Sequence, residues 1–455
     1  MMRIITIALL SSFLALSASA EKVYRYRVHL TDKQGTEHSL DNPRTFLSER
    51  AIERRNRQQL PLDETDLPVS RVYLDKLTAL GTSVFATSKW NNTVVLEVTD
   101  TLLMDKVADM PFVKGIKKVW TQPDSIPSRN KERKKEVNNR ITEAGGYYGK
   151  ALRQITIHGG DSLHAAGFAG KGMHVAVIDA GFYNADEIKF FRKMKLLGTR
   201  DFVNPHSDIY AENAHGLMVL SCMAANAKDA FVGTAPEASY WLLRSEDNDT
   251  EQPIEEDNWA AAIEFADSIG VDVVNTSLGY YEFDKGYPAY RYRDLDGHYS
   301  LMSHSASMAA DKGMVVVCSA GNSGRGSWKK ITPPGDAENV ITVGALTKGL
   351  VNAEFSSIGN AADGRIKPDV MAIGVNSVVS GTDGSVSKGN GTSFASPILC
   401  GVVTCFWQAC PWLTAKEVLE AVRQAGDRVD YPDNIYGYGV PNLWKAYKEE
   451  SEKKK

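Results

Sequence analysis

Near-continuous apolar runs recur through the second part of the chain, and they predict strands that are buried on both faces. Such strands are typical of parallel sheets with helices on each side. Amphipathic stretches over residues 257–269 and 303–312 predict helices between them. The runs predicted as strands are 173–178, 241–244, 271–276, 315–319 and 341–345. This alternation predicts an α/β domain over residues 155–447, with a doubly wound parallel sheet and helices on both faces.

The first part of the chain has a different pattern, in which apolar and polar residues alternate over short segments. Alternation is typical of strands with one buried face, and Lys89-Trp90-Asn91-Asn92 between two such segments indicates a hairpin. The predicted strands are 23–30, 84–87, 93–98 and 113–120, and the predicted helices are 46–57, 70–80 and 101–108. Residues 21–122 are therefore predicted to form a separate, small α+β domain.

The amino terminus has the composition of an export signal. Arg3 precedes the apolar run 4–16, and Ala18-Ser19-Ala20 follows it. A charged start, a short apolar core and an A-x-A site predict a signal peptide over residues 1–20. The alternative is a membrane anchor, but the run is shorter than the ~20 residues that a spanning helix needs. We therefore expect an exported protein, secreted or held in the periplasm or cell envelope, with no stable membrane insertion after signal removal.

Charge separates the two predicted domains. Residues 21–140 carry a formal charge of +5 and residues 141–455 a charge of −10, within a net charge of −4 for the chain. This asymmetry favours binding of the leader to the body over nucleic-acid binding, because the body has no basic face. A charged linker that is open to proteolytic processing is predicted over residues 123–154, and a charged tail over residues 448–455.

The most specific stretch is residues 391–397, Gly-Thr-Ser-Phe-Ala-Ser-Pro. A turn-prone approach over residues 388–391 precedes Ser393, and an apolar, helix-like run follows it. Ser393 is therefore expected at a helix N-terminus, where free N–H groups and the helix dipole face any developing oxyanion.

Three polar residues upstream have comparable settings. Asp179 ends the apolar run 173–178, at the edge where α/β sheets place ligands and chemistry. His215 precedes an apolar helical stretch, and Asn322 lies at a glycine-rich strand exit, where its amide can donate to an oxyanion. Taken singly, each has a structural explanation as a turn former, a satisfied histidine or a left-handed asparagine.

The chain order Asp, His, Ser is that of subtilisin and differs from that of chymotrypsin and the α/β-hydrolases. Together with the sequence of residues 391–397, this order makes the chain resemble the subtilisin-like serine peptidases (subtilases) over roughly residues 155–445. Further segments that resemble motifs of this family are 233–236, 273–279 and 367–372. The chemistry then assigns Ser393 as nucleophile, His215 as general base and acid, and Asp179 as the group that orients His215. The Asn322 side chain and the Ser393 N–H would form the oxyanion hole.

The resemblance also implies a substrate cleft and a function for the leader. It places six uncharged residues along the cleft, as walls of the pocket for the residue before the scissile bond: Ser277, Leu278, Gly279, Ser319, Ala320 and Gly321. It implies that residues 21–122 are a propeptide that inhibits its own body, with an ordinary accessory domain as the alternative. The expected partners are protein or peptide substrates and the protein's own propeptide. No cofactor or catalytic metal is expected, and structural calcium cannot be deduced from the sequence.

Two features leave alternatives open. Subtilases usually have Ser or Thr where this chain has Ala180 and Leu217, which puts the fine orientation of Asp179 and His215 in question. The alternative function is therefore a weakly active or inactive peptide-binding or scaffold protein of the same fold. The glycine cluster over residues 170–172 suggests a nucleotide-binding fold as a further alternative. The cluster precedes the predicted strand 173–178, whereas the glycines of the dinucleotide fingerprint follow a strand, so this alternative has little support.

The five cysteines lack the paired spacing of a zinc site. In an exported protein, Cys405 and Cys410 are the pair expected to form a disulfide, provided that the helix ends between them.

Overall fold

The computed structural model describes residues 22–124, 137–139 and 144–454. The predicted signal peptide lies outside the described residues, and so do residues 125–136 and 140–143 of the predicted linker. Within the described ranges, no helix has both the length and the apolar character needed to cross a bilayer.

The N-terminal domain is built on an antiparallel sheet. Its elements in chain order are β1 (Tyr24–Leu30), α1 (Glu49–Arg57), α2 (Arg71–Thr78), β2 (Ser83–Ser88), β3 (Thr93–Val98), α3 (Leu103–Ala108) and β4 (Val113–Thr121). The strand order is β2-β3-β1-β4, and α2 and α3 cover one face of the sheet. The predicted hairpin is confirmed, because Ser88 pairs with Thr93 across the turn.

The C-terminal domain alternates helices and strands. Its helices are α4 (Leu152–Thr156), α5 (Gly160–Ala165), α6 (His215–Ala224), α7 (Ile254–Ser268), α8 (Leu301–Asp311), α9 (Thr392–Ala409), α10 (Ala415–Gln424) and α11 (Leu443–Lys453). Its strands are β5 (His174–Asp179), β6 (Lys195–Asp201), β7 (Asn226–Ala227), β8 (Phe231–Val232), β9 (Ser239–Arg244), β10 (Val273–Thr276), β11 (Val315–Ser319), β12 (Ile341–Leu346), β13 (Val370–Ile373), β14 (Ser377–Ser380) and β15 (Val386–Gly389). Single 3-10 turns lie at Pro43–Thr45, Glu64–Asp66, Lys189–Phe191, Ile209–Ala211 and Tyr292–Asp294.

Seven parallel strands form the central sheet, in the order β13-β12-β11-β10-β5-β9-β6. Alternate side chains of β5 enter two separate cores: Val175 and Val177 pack with α6 and α9, whereas Ala176 and Ile178 pack with α7 and α8. A strand that is buried on both faces has no polar side, which is why the run reads as continuously apolar. The predicted doubly wound α/β architecture is confirmed.

The N-terminal domain docks on α7 and α8 through buried charges. Asp267, at the end of α7, accepts from Arg54 and Arg55 of α1 at 2.5 and 2.6 Å and from Lys89 at 2.9 Å. Glu264, one turn earlier, accepts from Ser88 Oγ at 2.5 Å and from the Lys89 N–H at 2.7 Å. These contacts match basic groups of the leader with acids of the body, as the charge asymmetry indicated. One contact has the opposite sense, since Lys312 of the body donates to Asp63 and Asp66 of the leader at 3.0 and 2.9 Å.

Two predicted boundaries of the C-terminal domain fall inside helices. The predicted start at residue 155 lies within α4, and Ala151 and Ile155 belong to the core beneath α9. The predicted tail from residue 448 continues α11, where Lys445 and Glu449 form an i,i+4 ion pair at 3.7 Å. Lys and Glu are good helix formers, so a charged run can extend a helix as readily as it can end one.

The expected Cys405–Cys410 disulfide is wrong, because all five cysteines are free and buried. Helix α9 continues past Cys405 to Ala409, so the pair lies five residues apart along a helix and its end. Such residues point in different directions around the axis.

Candidate active site

Asp179 ends β5, a strand with β10 and β9 on its two sides. The side chain is fully buried, and its Oδ1 accepts from the Ala180 N–H at 2.8 Å. The same oxygen accepts from His215 Nδ1 at 2.7 Å. The central strand therefore fixes a carboxylate at the carboxyl edge of the sheet and directs it to an imidazole.

His215 is the first residue of α6, and the Asn213 side chain accepts from its N–H at 2.7 Å. The next residue must be small, because a Cβ on Gly216 would lie 2.9 Å from Asp179 Cβ. Burial alone would lower the pKa of His215, but the charge and hydrogen bond of Asp179, with the charge of Glu246, raise it. His215 is thus a stronger base than a free imidazole, and its Nε2 is turned away from Asp179.

Ser393 is the second residue of α9, in agreement with its expected position at a helix N-terminus. The predicted turn-prone approach is partly strand, since β15 extends to Gly389. The Ser393 hydroxyl donates to the Ser277 carbonyl at 3.4 Å, a long bond that is not directed at His215. The His215 ring nevertheless lies against the first turn of α9, with its centroid 6.0 Å from that of Phe394.

Asn322 follows β11 and is exposed, beside the first turn of α9. Its Oδ1 accepts from the Thr392 N–H at 2.9 Å and from the Thr392 hydroxyl at 3.0 Å. These two bonds orient the amide, and its Nδ2 has no hydrogen-bond acceptor in the described part of the chain. The Ser393 N–H also has no partner there, so the site contains two donors that are free to bind an oxyanion.

A buried polar network locks α9 to the end of β10. Ser396 donates to Asn275 Oδ1 at 2.8 Å, and the Asn275 amide donates to Ser277 Oγ at 3.2 Å. Ser277 Oγ in turn donates to the Ser393 carbonyl at 2.9 Å. Sequence reasoning did not identify Thr392, Asn275 or Ser396 as site residues, because their importance depends on contacts between distant segments.

The six predicted cleft residues lie at the ends of two adjacent strands, β10 and β11. Thr332 stands between the two segments: its Oγ1 lies 2.3 Å from a Cβ placed on Gly279 and 2.8 Å from one placed on Gly321. The Thr332 hydroxyl is buried and has no hydrogen-bond partner among the described residues. Sequence reasoning missed Thr332, which lies in a loop that carries no recognisable chemical motif.

The two departures from the subtilase pattern have visible consequences. Ala180 provides no side-chain donor, and Asp179 Oδ2 is buried with no hydrogen-bond partner within the described ranges. Leu217 is fully buried and packs in the core between α6 and the sheet. Asp179 is thus oriented through one oxygen only.

No group of three or more His, Cys, Asp or Glu side chains among the described residues is placed to hold a metal ion. The expectation that no cofactor is needed stays a prediction.

Comparison with known families assigns the chain. Residues 170–439 match the subtilase family model (Peptidase S8). The chain belongs to the subtilase family of serine peptidases. Residues 25–138 match the Peptidase S8 propeptide domain of Bacteroidota, so the N-terminal domain is a propeptide domain.

Curated relatives of the chain include a serine protease and several subtilisins. Serine protease AprX of Bacillus subtilis (strain 168) is 32% identical over 301 residues, covering 60% of this chain and 65% of AprX. Subtilisin DY of Bacillus licheniformis is 30% identical over 289 residues, covering 62% of this chain and 93% of that protein. The match to AprX therefore spans slightly less than two thirds of its length.

Proposed function

We propose that this subtilase is an exported serine endopeptidase that is made as a self-inhibited precursor. The observation that carries the proposal is the 2.7 Å bond between Asp179 and His215, placed against the helix turn that presents Ser393. A histidine with a buried carboxylate on Nδ1 has its other nitrogen available as a base. This is the arrangement that activates a serine hydroxyl at neutral pH.

In the proposed reaction, the Ser393 hydroxyl rotates from the Ser277 carbonyl to His215 Nε2 when substrate binds. Catalytic hydrogen bonds often form only in the substrate complex, so the 3.4 Å contact does not oppose this step. Ser393 Oγ attacks the scissile carbonyl while His215 takes its proton. His215 then donates that proton to the leaving amine, and water releases the acyl group by the same steps in reverse order.

Two donors stabilise the tetrahedral intermediate. The Asn322 Nδ2 and the Ser393 N–H have no acceptor among the described residues, so both can donate to the oxyanion. Because Thr392 already holds Asn322 Oδ1, the amide needs little reorganisation as charge develops. Such preorganised donors act on the transition state more than on the bound substrate.

The propeptide domain inhibits the body that it docks on. Its last strand, β4, ends at Thr121, whose N–H and carbonyl bond to the Gln252 side chain at 2.8 and 3.1 Å. Gln252 lies in the segment between β9 and α7, which also contains Glu246, a neighbour of His215. The chain that leaves the propeptide thus starts against the segment that contains Glu246, which supports an inhibitory role.

The residue before the scissile bond, P1, is expected to be large and apolar. The predicted pocket walls are uncharged, and a Lys or Arg that entered would lose hydration without gaining a carboxylate partner. A large apolar side chain would gain roughly 1.5–3 kcal/mol from burial. We expect cleavage after Phe, Leu, Tyr or Met, and a peptide-library profile dominated by Arg or Lys at P1 would contradict this.

Labelling with an active-site phosphonate distinguishes this enzyme from the scaffold alternative. That alternative has two supporting observations: the unpaired Asp179 Oδ2 and the Ser393 hydroxyl that points to Ser277. An active site of the proposed kind gives one adduct, mapped to Ser393 and lost in His215→Ala. Absence of an adduct on processed, folded protein would favour the scaffold function.

A further inference from the structure

A separate two-stranded hairpin leads into the candidate nucleophile. Strands β14 and β15 pair antiparallel, with Val378 opposite Lys388 and Ser377 opposite Gly389. They are not part of the central sheet, and β15 ends at Gly389, shortly before Ser393. A hairpin of two strands is only marginally stable by itself. The position of Ser393 therefore depends on the contacts that hold this hairpin.

The hairpin and the approach to Ser393 form one unit. The Gly391 N–H donates to the Gly374 carbonyl at 2.8 Å, and the Asn376 N–H donates to Asn390 Oδ1 at 2.7 Å. Both bonds join the chain that precedes β14 to the chain that follows β15. A shift of β14 would therefore also move the start of α9.

Gln154, in α4, holds the outer edge of β14. Its Oε1 accepts from the Val378 N–H at 2.9 Å, and its Nε2 donates to the Val378 carbonyl at 3.3 Å. A neighbouring antiparallel strand would supply the same two bonds to one residue. The turn of the hairpin is held separately, where the Thr382 carbonyl accepts from Asn184 Nδ2 at 3.0 Å. Because Gln154 and Val378 are both buried, loss of the carboxamide would leave two backbone groups without partners.

Ser221 joins the same strand to the helix that begins with His215. Its Oγ accepts from the Ser380 N–H at 2.9 Å and donates to the Met218 carbonyl, within α6, at 2.6 Å. The Ser221 side chain is fully buried. Ser221 therefore connects the helix that carries the candidate base to the hairpin that leads to the candidate nucleophile.

The proposed reaction depends on accurate placement of Ser393. Its hydroxyl donates to the Ser277 carbonyl, and in the proposed reaction it rotates from there to His215. This rotation gives a productive contact only if the Ser393 backbone already lies at the correct distance from the imidazole. A misplacement of about 1 Å can lower a catalysed rate about 10²-fold.

We propose that Gln154 and Ser221 are positioning residues, which fix the hairpin that sets the distance between Ser393 and His215. The proposal rests on the proposed endopeptidase function. Both residues act through the backbone of β14. The proposal also requires that processing leaves Gln154 in the mature chain. The sequence alone does not identify Gln154, because its bond to Val378 joins positions 224 residues apart.

The test measures hydrolysis of one peptide by processed wild type and by Gln154→Met, which keeps the length of the side chain but removes both hydrogen-bonding groups. Phosphonate labelling of Ser393, carried to completion, counts the folded sites, so that kcat is expressed per site. Gln154→Met should lower kcat per site about 10- to 100-fold and slow the labelling, while KM stays within about twofold. A purely structural residue would lower the number of sites or the melting temperature and leave kcat per site unchanged.

Gln408→Met is the matched control. Gln408 lies at the far end of α9, and its Oε1 accepts from the Gly170 N–H at 2.7 Å, so it also bonds backbone but does not contact the hairpin. This variant should keep kcat per site and the labelling rate. Ser221→Ala is a second variant and should lower kcat per site by a smaller factor, because it removes one bond to β14. It decides the question if Gln154→Met does not fold.

The outcomes separate the positioning role from the proposed function. Unchanged kcat per site in folded Gln154→Met would overturn the positioning role but leave the endopeptidase intact, and so would an equal loss in Gln408→Met. A mature N-terminus that follows Gln154 would overturn it as well. If processed wild type does not hydrolyse the peptide, the proposed function is wrong and the positioning role with it.

Discussion

We propose that the Asn322 side chain stabilises the transition state and contributes little to substrate binding. Its Oδ1 is held by Thr392, and its Nδ2 is free to donate to an oxyanion. We predict that Asn322→Ala lowers the turnover number about 10²–10³-fold with little change in substrate affinity, because the donor acts on transition-state charge. Steady-state kinetics on one peptide substrate measures both quantities.

A second variant, Thr392→Val, tests how far the Asn322 amide depends on the hydrogen bonds that orient it. Thr392→Val removes the hydroxyl that donates to Asn322 but keeps the Thr392 N–H, so its loss of turnover should be smaller. An unchanged turnover number in Asn322→Ala would show that Asn322 is only a turn residue.

The unpaired Asp179 Oδ2 predicts a gain from a single substitution. Ala180→Ser places a hydroxyl next to a buried carboxylate oxygen that has no partner among the described residues. We predict that this change raises the free energy of unfolding by about 1–2 kcal/mol, since hydrogen bonds to charged groups are stronger than neutral ones. It should also raise kcat, because Asp179 would be held through both oxygens.

Denaturant unfolding and peptide hydrolysis test this prediction together. Ala180→Cys is the matched control, because a thiol of similar size is only a weak donor and should give a smaller gain. Destabilisation by Ala180→Ser with no gain in kcat would mean that the orientation of Asp179 is already sufficient.

At the scale of single residues, the sequence indicated four candidates whose side-chain type the proposed chemistry requires. Each of these candidates lies at the end of a predicted strand or near the start of a predicted helix, and both positions can be recognised in the sequence pattern: Asp179, His215, Asn322 and Ser393. The hold of Thr392 on Asn322 joins positions 70 residues apart, which no local pattern encodes. The placement of Glu246 near His215 was missed for the same reason, since nothing in the sequence fixes β9 as the neighbour of β5.

Among the elements, the end of α7 places one carboxylate against three cations of the propeptide. Asp267 is buried between Arg54, Arg55 and Lys89 of the leader. We predict that Asp267→Asn weakens docking of the cleaved propeptide by about 3–5 kcal/mol, because it leaves buried cations without their partner. Size-exclusion chromatography of processed protein measures the fraction of propeptide that stays bound. Asp75→Asn on the exposed face of α2 is the control and should dock normally.

The same network predicts that mild acid does not release the propeptide. Burial alone would raise the pKa of Asp267, but Lys89, Arg55 and Arg54 lower it far below its usual value. A carboxylate with a lowered native pKa stabilises the folded interface above its ordinary pKa and loses that effect only as pH falls through the lowered value. Docking through Asp267 should therefore persist from neutral pH to about pH 5. Release between those values would contradict this account of the interface.

The sequence predicted elements well where both faces are buried and poorly at the margins of the sheet. The runs that became β5 and β11 are continuously apolar because helices cover both sides. Edge strand β6 was not predicted, because most of its residues, including Lys195 and Arg200, lie partly or fully in solvent. Helix α10 was also missed, although Thr414 and Glu417 form a capping box that marks its start.

For the whole molecule, we propose a precursor that cuts its own chain. The basic leader docks on the acidic body, and the strand that leaves it ends beside the segment containing Glu246. We predict self-processing between Trp120 and Ile155, with the released leader remaining bound as an inhibitor. The measurement is the N-terminal sequence of mature protein from wild type and Ser393→Ala, expressed in a host that lacks other secreted peptidases. The same mature N-terminus in both would show that another enzyme makes the cut.

We propose that Ser393 performs peptide hydrolysis, and comparing the turnover of one peptide by wild type and Ser393→Ala tests this. The substitution removes one small polar atom from a buried side chain, so the protein should stay folded, as circular dichroism and thermal unfolding can verify. The account predicts that processed wild type hydrolyses the peptide and that folded Ser393→Ala, processed in trans, has lost nearly all of this activity. Hydrolysis at the wild-type rate by folded Ser393→Ala would contradict the serine-peptidase mechanism.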